Sequence, residues 1–346
     1  MRAGLGSRPW VGLDLGTYSI KVVSAQGAVG GTRLRAAEVP LGGPADQPDR
    51  PSADAVARAI SEGFSRLGLS PRGRGISVGV SGSDVIVKQI TLPLLDESEV
   101  GPALRFEARK HLPFDPQTMV IDYQVLGRYP SERKLDILLA AVARDHLERH
   151  MEPLRMLGLD PEIVDAAPLA LANAVVQEAD LGPDAHVLLD LGCSSSHLTI
   201  YQRGQPFFAR RFDFGGRNLT RAIATDTRVP FAEAEEWKLA VGGDRPGLRV
   251  DWDTPEMQAI EECLRREMVE ELIRSFAFYR TQAHLPGLPR IWVSGGTARL
   301  PGLSNRLGEM IGVPVVLFDP LGNGSAGPGE SGPQFAQAFG LTLSAA

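Results

Sequence analysis

The sequence predicts an α/β fold made of two homologous halves, with a smaller α+β unit at 84–159. Three observations predict it. Strand-like and helix-like segments alternate along the whole chain, the pattern of sheets covered by helices. The segment VGLDLGTYSIKVVSAQ (11–26) aligns without gaps with VLLDLGCSSSHLTIYQ (187–202), an offset of 176 residues, so the chain carries an internal echo. Its 346 residues exceed what one simple core organises, and two or more domains follow.

The elements follow in order. Residues 10–15 and 20–25 read as strands joined by a short polar turn, and 34–39 as a third. A Pro/Gly/Asp-rich loop (41–52) ends at Ser52, the N-cap of a helix with Val56, Ile60, Phe64 and Leu67 on one face. ISVGV (76–80) is a buried strand. In the 84–159 segment, 85–92, 121–127 and 135–143 read as strands, and 99–112 and 144–159 as helices, a β-α-β-β-α unit. Residues 166–179 read as a buried helix, followed by the second strand–turn–strand, a strand at 207–212 and helices near 216–226 and 231–241. A long helix spans roughly 255–284. IWVSGG (291–296) is a strand entering a Gly turn, a helix starts near Pro301, and 315–318 is a strand. LGNGSAGPGESG reads as a surface loop, and the last helix, PQFAQAFGLTL, is apolar and docked.

Composition narrows the function. The apolar fraction of 43% and charged fraction of 23% exclude wholesale disorder. A net charge of −6 gives no support to nucleic-acid binding. No apolar run reaches the length of a membrane span, and the first ten residues lack the apolar core of a signal peptide. Cys193 and Cys263 form no CxxC pair, so a zinc cluster is not expected and a reduced cytoplasm is.

The echo carries the chemistry. Each copy is a buried strand, Asp-Leu-Gly, a small polar turn and a second strand; Asp14 matches Asp190, Gly16 matches Gly192 and Ser19 matches Ser195. Glycine lets backbone N–H groups close on a phosphate oxygen. Thr17, Ser19, Ser194, Ser195 and Ser196 add hydroxyls, and Lys21 adds positive charge. An Asp repels phosphate unless Mg²⁺ lies between them, commonly through water, which assigns Asp14 and Asp190 to the metal. Gly295 and Gly296 let a flat adenine lie against the backbone, with Thr297 and Ala298 beside it. Glu235 and Lys238, at i and i+3 of a helix, are placed to bond ribose hydroxyls, or form an ordinary surface ion pair. The P-loop and Rossmann glycine patterns are both missing.

On these residues the chain resembles the actin/Hsp70/sugar-kinase superfamily: DLGTYS, DLGCSSS and VSGGTA are similar to its two phosphate motifs and its adenosine motif, and 165–172 and 335–343 to its connecting helices. VGLDLGTYSIKVV, RKHLPFDP (109–116), DFGGRNLTRAI (213–223) and LPGL resemble the PilM family of cytoplasmic actin-like proteins of type IV pilus machines, in the PilM/FtsA branch. The resemblance implies a two-lobed actin-like ATPase fold with ATP and Mg²⁺ in the cleft. The first lobe comprises subdomain 1A (1–83 and 160–185) and the inserted α+β subdomain 1C (84–159). The second comprises 2A (186–215 and 290–346) and 2B (216–289). It implies cofactor contacts at Gly16, Thr17, Tyr18, Ser19, Lys21, Gly192, Cys193, Ser194, Ser195, Ser196, Gly216, Glu235, Lys238, Gly295, Gly296 and Thr297. Asp165, at the start of the first connecting helix, is the catalytic candidate, and capping that helix is its alternative role. It implies a partner: the cytoplasmic N-terminal segment of a PilN-like single-span membrane protein, which recruits the chain to the inner face of the inner membrane. That segment is expected between the insert and the first lobe, with Arg109, Lys110 and Phe114 at its site; the alternative for Phe114 is the insert's own core. Self-association is left open.

Two features depart from the pattern: Tyr18 stands where a small residue is usual, and His197 stands at the repeat position of Lys21. His146 and His150 read as a solvated helix face, Cys193 as a packed thiol, and Arg210–Arg211 as a pair on a strand edge. Three functions compete: an ATP-binding assembly platform turning over ATP slowly at most, a small-molecule kinase, and an FtsA-like division protein. The kinase lacks a second acidic motif for an acceptor base. The FtsA reading expects an amphipathic tail after the last helix, where this sequence has SAA.

Overall fold

The computed structural model describes residues 9–28, 31–42, 51–178, 185–202, 205–242, 250–283, 290–322 and 332–344. Most of the two Gly/Pro-rich loops read from the sequence, at 41–52 and 321–332, lies outside them.

The chain begins with the meander β1 (Trp10–Leu15), β2 (Ser19–Ala28) and β3 (Gly31–Pro40), then α1 (Ala53–Arg66) and β4 (Gly75–Val80). Ser52 caps α1: its side-chain oxygen accepts from the Ala55 N–H at 3.3 Å, and Val56, Ile60 and Phe64 face the core. The middle segment gives β5 (Val85–Pro93), α2 (Glu97–His111), β6 (Met119–Tyr129), β7 (Lys134–Ala143) and α3 (Arg144–Met156). A short strand, β8 (Ile163–Ala166), precedes α4 (Ala167–Glu178). The second half runs β9 (His186–Leu191), β10 (Ser196–Gln202), β11 (Gln205–Phe212), α5 (Gly216–Thr227), α6 (Phe231–Val241), α7 (Pro255–Cys263), α8 (Glu270–Ala283), β12 (Ile291–Ser294), α9 (Leu303–Ile311), β13 (Val315–Leu317) and α10 (Ala336–Leu343).

The sheets show the duplication. In the first, the order is β3-β2-β1-β4-β8: three antiparallel strands, then two parallel ones. In the second, β11-β10-β9-β12-β13 repeats that plan strand for strand. Within each hairpin the Asp lies directly across from the side chain seven residues on, Asp14 from Lys21 and Asp190 from His197.

Four features differ from the sequence reading. The strand β8 was not expected: it is four residues long, half-exposed and interrupted by Asp165, so it carries no alternation to read. The long helix at 255–284 is divided by a π-helical stretch, Leu264–Val269, which turns Leu264, Met268 and Val269 into the core. The middle segment enters between two strands of the first sheet, yet its own strands continue the second: β5 meets β11 at Lys88 and Phe208, giving the order β11-β5-β7-β6. Val87, Leu138 and Ala166 are buried at that junction, with Val85, Leu126, Leu169 and Ala209 against them. Arg210 and Arg211 therefore lie on a strand with partners on both sides rather than on a free edge, and they pair with Glu271 (2.8 Å) and Asp213 (2.6 Å).

The fourth difference concerns α3. His146 and His150 are buried rather than solvated. The His146 ring is bonded to Asp84, and His150 Nε2 lies 2.8 Å from the Gly79 carbonyl oxygen at the end of β4. The i, i+4 spacing that puts both on one face of α3 points that face at Asp84 and the end of β4. Among the described residues no group of three or more His, Cys, Asp and Glu could hold a metal.

Candidate functional site

The two hairpin turns meet between the sheets. Thr17 Oγ1 lies 3.1 Å from Ser194 Oγ, so the polar tip of one half touches the tip of the other. A narrow space of about 80 Å³ lies behind this contact, and it gathers most of the residues singled out from the sequence. Asp14, Gly16, Thr17, Tyr18 and Lys21 come from the first hairpin; Asp190, Gly192, Cys193, Ser194 and Ser195 from the second; Gly295 and Gly296 from the turn after β12.

Glycine is required at several of these turns. A Cβ at Gly16 would sit 2.8 Å from the Ser19 carbonyl oxygen, and one at Gly192 would sit 2.5 Å from that of Ser195. Gly295 has φ of 92°, and a Cβ there would run into the Leu191 carbonyl. Beside Gly296 the space is open.

The electrostatics are those of two facing carboxylates. Asp14 Oδ2 lies 3.8 Å from Lys21 Nζ, and Gln337 of α10 donates Nε2–H to Asp14 Oδ1 at 3.0 Å. Burial pushes the Asp14 carboxyl above the usual carboxylate range; Lys21 pulls it down and the charge of Asp190 pushes it up again. Asp190 accepts from Ser294 Oγ at 3.4 Å and lies 3.8 Å from His197 Nδ1. Burial, then Glu235 and Glu38, push the Tyr18 phenol up, so the first hairpin's tip reaches the neighbourhood of the second half's acidic residue.

Other expected contacts fall differently. Ser19 is buried and donates to Glu38 Oε1 at 2.6 Å, and Ser196 is buried and donates to the Phe214 carbonyl at 2.7 Å. Both hydroxyls hold the hairpins together instead of facing the cleft, because each sits at the first residue of a strand whose side chain turns inward. Thr297 Oγ1 donates to the Gly192 carbonyl at 2.8 Å, locking the β12 turn to the second hairpin. Glu235 and Lys238 form a 2.7 Å ion pair that also holds Thr220, and Lys238 Nζ donates to the Gly216 carbonyl at 2.9 Å. Lys238, Gly296 and Thr297 line a second space of about 80 Å³ beside the first. Asp165 is not brought to the cleft: it lies in β8, opposite Gly79, and accepts from Ser344 Oγ at 2.7 Å. Burial pushes its carboxyl up, against the hydrogen bonds from Ser344 and the Ala166 backbone. It lines none of the spaces at the hairpins.

Sequence reasoning missed Ser81, Gln334, Gln337, Glu38 and Arg299. Gln337 on α10 and Gln334 in the 3-10 turn before it line the cleft, and an amide in an otherwise apolar, buried stretch is the available signal. Arg299 and Glu38 form a 3.6 Å ion pair between the halves.

The donor set suits a magnesium-bound polyphosphate. Two carboxylates line one space, a lysine and three hydroxyls stand beside them, and Gly16, Gly192 and Gly295 leave no room for a Cβ. Among the described residues, the His197 ring nitrogens and Gln334 Oε1 at the cleft have no hydrogen-bond partner.

The family model for the type IV pilus assembly protein PilM matches residues 12–345. The chain belongs to the PilM family. A solved PilM–PilN type IV pilus biogenesis complex is 26% identical, covering 99% of this chain and 98% of that one with a TM-score of 0.79. MreB5 of Spiroplasma citri bound to AMPPNP shares the fold at 13% identity and a TM-score of 0.50, over 97% and 96% of the chains. The FtsA cell division protein of Streptococcus pneumoniae is 25% identical over 90% of this chain and 75% of its own length. Against two further FtsA sequences the chain spans just under half of their length, 48% and 46%. The fold is thus that of actin-like ATPases, and this PilM-family chain is an actin-like type IV pilus assembly protein. Among the described residues no helix is long and apolar enough to cross a membrane.

Proposed function

We propose that this chain clamps ATP with Mg²⁺ between its two hairpins and docks the cytoplasmic N-terminal segment of a PilN-like membrane protein on its inserted unit. The observation that carries the first half is the convergence of Asp14 and Asp190, with Lys21, Thr17, Ser194 and Ser195, on one cleft. Asp14 and Asp190 would hold Mg²⁺, commonly through water, and the metal would supply charge neutralisation between carboxylates and phosphates. Lys21, the hydroxyls and the turn N–H groups would bind phosphate oxygens. Gly295 and Gly296 would take the base, and Lys238 with Glu235 the ribose once their mutual pair opens. Nucleotide bound by both halves favours the closed arrangement, because it interacts with each half only when they approach.

The second half rests on the inserted unit. Arg105, Phe106, Arg109, Met119, Ile121 and Arg144 line a cavity of about 710 Å³ there. Phe106 is 69% exposed and Phe114 46% exposed, so neither anchors the insert's core. Of the expected trio, Arg109 lines this cavity, while Lys110 is paired with Glu107 and Phe114 lies outside it. An extended peptide has both an arginine-rich cavity and the outer edge of β6, unpaired among the described residues, to bind. Recruitment to the inner face of the inner membrane follows from that partner. The solved PilM–PilN complex supports this reading over the FtsA one.

Calorimetry tests both parts. Wild type should bind ATP with Mg²⁺ and lose affinity at least about tenfold in EDTA, as should Asp190→Ala with the metal present. A peptide of the partner's N-terminus should bind wild type and Asp190→Ala apo protein alike, and bind Arg109→Glu more weakly. No binding of ATP to wild type would falsify the cleft assignment.

A further inference from the structure

The cleft has a second end. The nucleoside end is marked by Gly295, Gly296 and Lys238. On the other side of the hairpin tips, Gly16, Thr17, Ser194 and Ser195 also line a cavity of about 490 Å³ that runs to the junction with the inserted unit. Its far wall carries Arg149 and His146 from α3 and Arg211 from β11. The lining acid is Asp84, and it is engaged by the His146 ring. Arg211 is paired at 2.6 Å with Asp213, whose side chain is 83% exposed, a screened pair that a phosphate can replace. Gly82 is required here as well, since a Cβ would run into the His146 ring. The wall is therefore cationic and continuous with the hydroxyls that face the cleft.

Gly16, Thr17, Ser194 and Ser195 line both spaces, so a triphosphate between the hairpins with its base at Gly295–Gly296 would extend toward this cavity. We propose that the cavity is the chamber for the terminal phosphoryl group, bound by Arg149 and Arg211 across from the Thr17, Ser194 and Ser195 hydroxyls. The assignment rests on the nucleotide reading of the cleft and adds to it the residues that tell a triphosphate from a diphosphate. Guanidinium groups suit this task because they pair bidentately with phosphate oxygens and stay charged. Arg149 lies on the last helix of the inserted unit, so a phosphoryl group in the chamber contacts the unit proposed to hold the partner.

The test measures AMPPNP, ADP and inorganic phosphate binding to full-length wild type, Arg149→Ala, Arg149→Lys and Arg211→Ala, all with Mg²⁺. Arg149→Ala should weaken AMPPNP about tenfold and change ADP by less than about twofold. Arg149→Lys should recover part of the loss, and Arg211→Ala should show the same pattern more weakly. Inorganic phosphate should compete with AMPPNP and not with ADP; competition with both places the phosphate elsewhere and overturns the proposal. Circular dichroism identifies any variant that fails to fold, and Arg149, exposed on its helix, leaves the core untouched. ADP binding by wild type with an unchanged AMPPNP-to-ADP ratio in both alanine variants overturns the chamber alone. No ADP binding by wild type overturns the cleft reading and the chamber with it.

Discussion

The first and second hairpins have one backbone and two chemistries. Both place an Asp across from a nitrogen-bearing side chain, and both separations are 3.8 Å. In the first the partner is Lys21, a flexible ammonium side chain, and Gln337 adds a hydrogen bond. In the second it is His197, buried, with no hydrogen bond to either ring nitrogen among the described residues. The same positions hold Thr17 against Cys193 and Tyr18 against Ser194. One strand back, Gly12 stands against Leu188. Duplication kept the geometry that brings two carboxylates together and let the surrounding side chains diverge, because the strand pairing fixes the backbone while each half packs against a different connecting helix.

The largest expected effect breaks the packing difference. A Cβ at Gly12 would run into the Ala338 carbonyl of α10, so Gly12→Leu, which makes the first strand look like the second, should cost about 3 kcal/mol or more in urea unfolding. Leu188 is fully buried with Leu171 and Phe339, and Leu188→Ala should cost about 3 kcal/mol through the cavity it leaves. The two losses thus arise from opposite causes.

Next come the cations. Lys21→Met leaves the buried Asp14 without its ion pair and should destabilise by about 2 kcal/mol. His197→Leu removes two unsatisfied buried nitrogens and should stay within about 0.5 kcal/mol of wild type. Equal losses for the two variants would show that the two pairs are equivalent after all.

The pH dependence of the first hairpin gives a smaller effect. The Asp14 pKa is raised in the folded state by burial, so the folded protein holds its proton more tightly than the unfolded chain. The contribution to stability is present below the ordinary carboxylate value, 3.8, and is lost as pH rises through the raised folded value. Asp14→Asn should flatten this fall in denaturation curves taken from pH 4 upward, while a slope as steep as wild type would exclude Asp14 as its source.

The smallest effect is chemical. Cys263 is buried and its thiol is pushed up to about 12, chiefly by burial. Cys193 is partly exposed in the second turn. Iodoacetamide should therefore label Cys193 first by mass spectrometry, and ATP with Mg²⁺ should slow that labelling. Labelling of Cys263 at the same rate would contradict the burial of that thiol in solution.

Much of this was legible in the sequence, and the residues show why. The duplicated Asp-Leu-Gly turns, the glycine pair at 295–296 and the Ser52 cap are local: each needs a residue type at a fixed offset along one strand, turn or helix, and such offsets survive in one dimension. The same holds for the family, whose motifs are strings of this kind. Tertiary structure alone decided where side chains turn at the ends of those strings. Ser19 and Ser196 face inward, Asp165 is held by Ser344 from the far end of the chain, and Gln337 on α10 and Gln334 in the turn before it arrive at the cleft. His146 and His150 are buried because α3 folds against Asp84 and the end of β4, and the inserted strands join the sheet of the other half through Lys88 and Phe208. Each of these depends on residues far apart in the chain meeting across packed surfaces, and no spacing within a single segment encodes such a meeting.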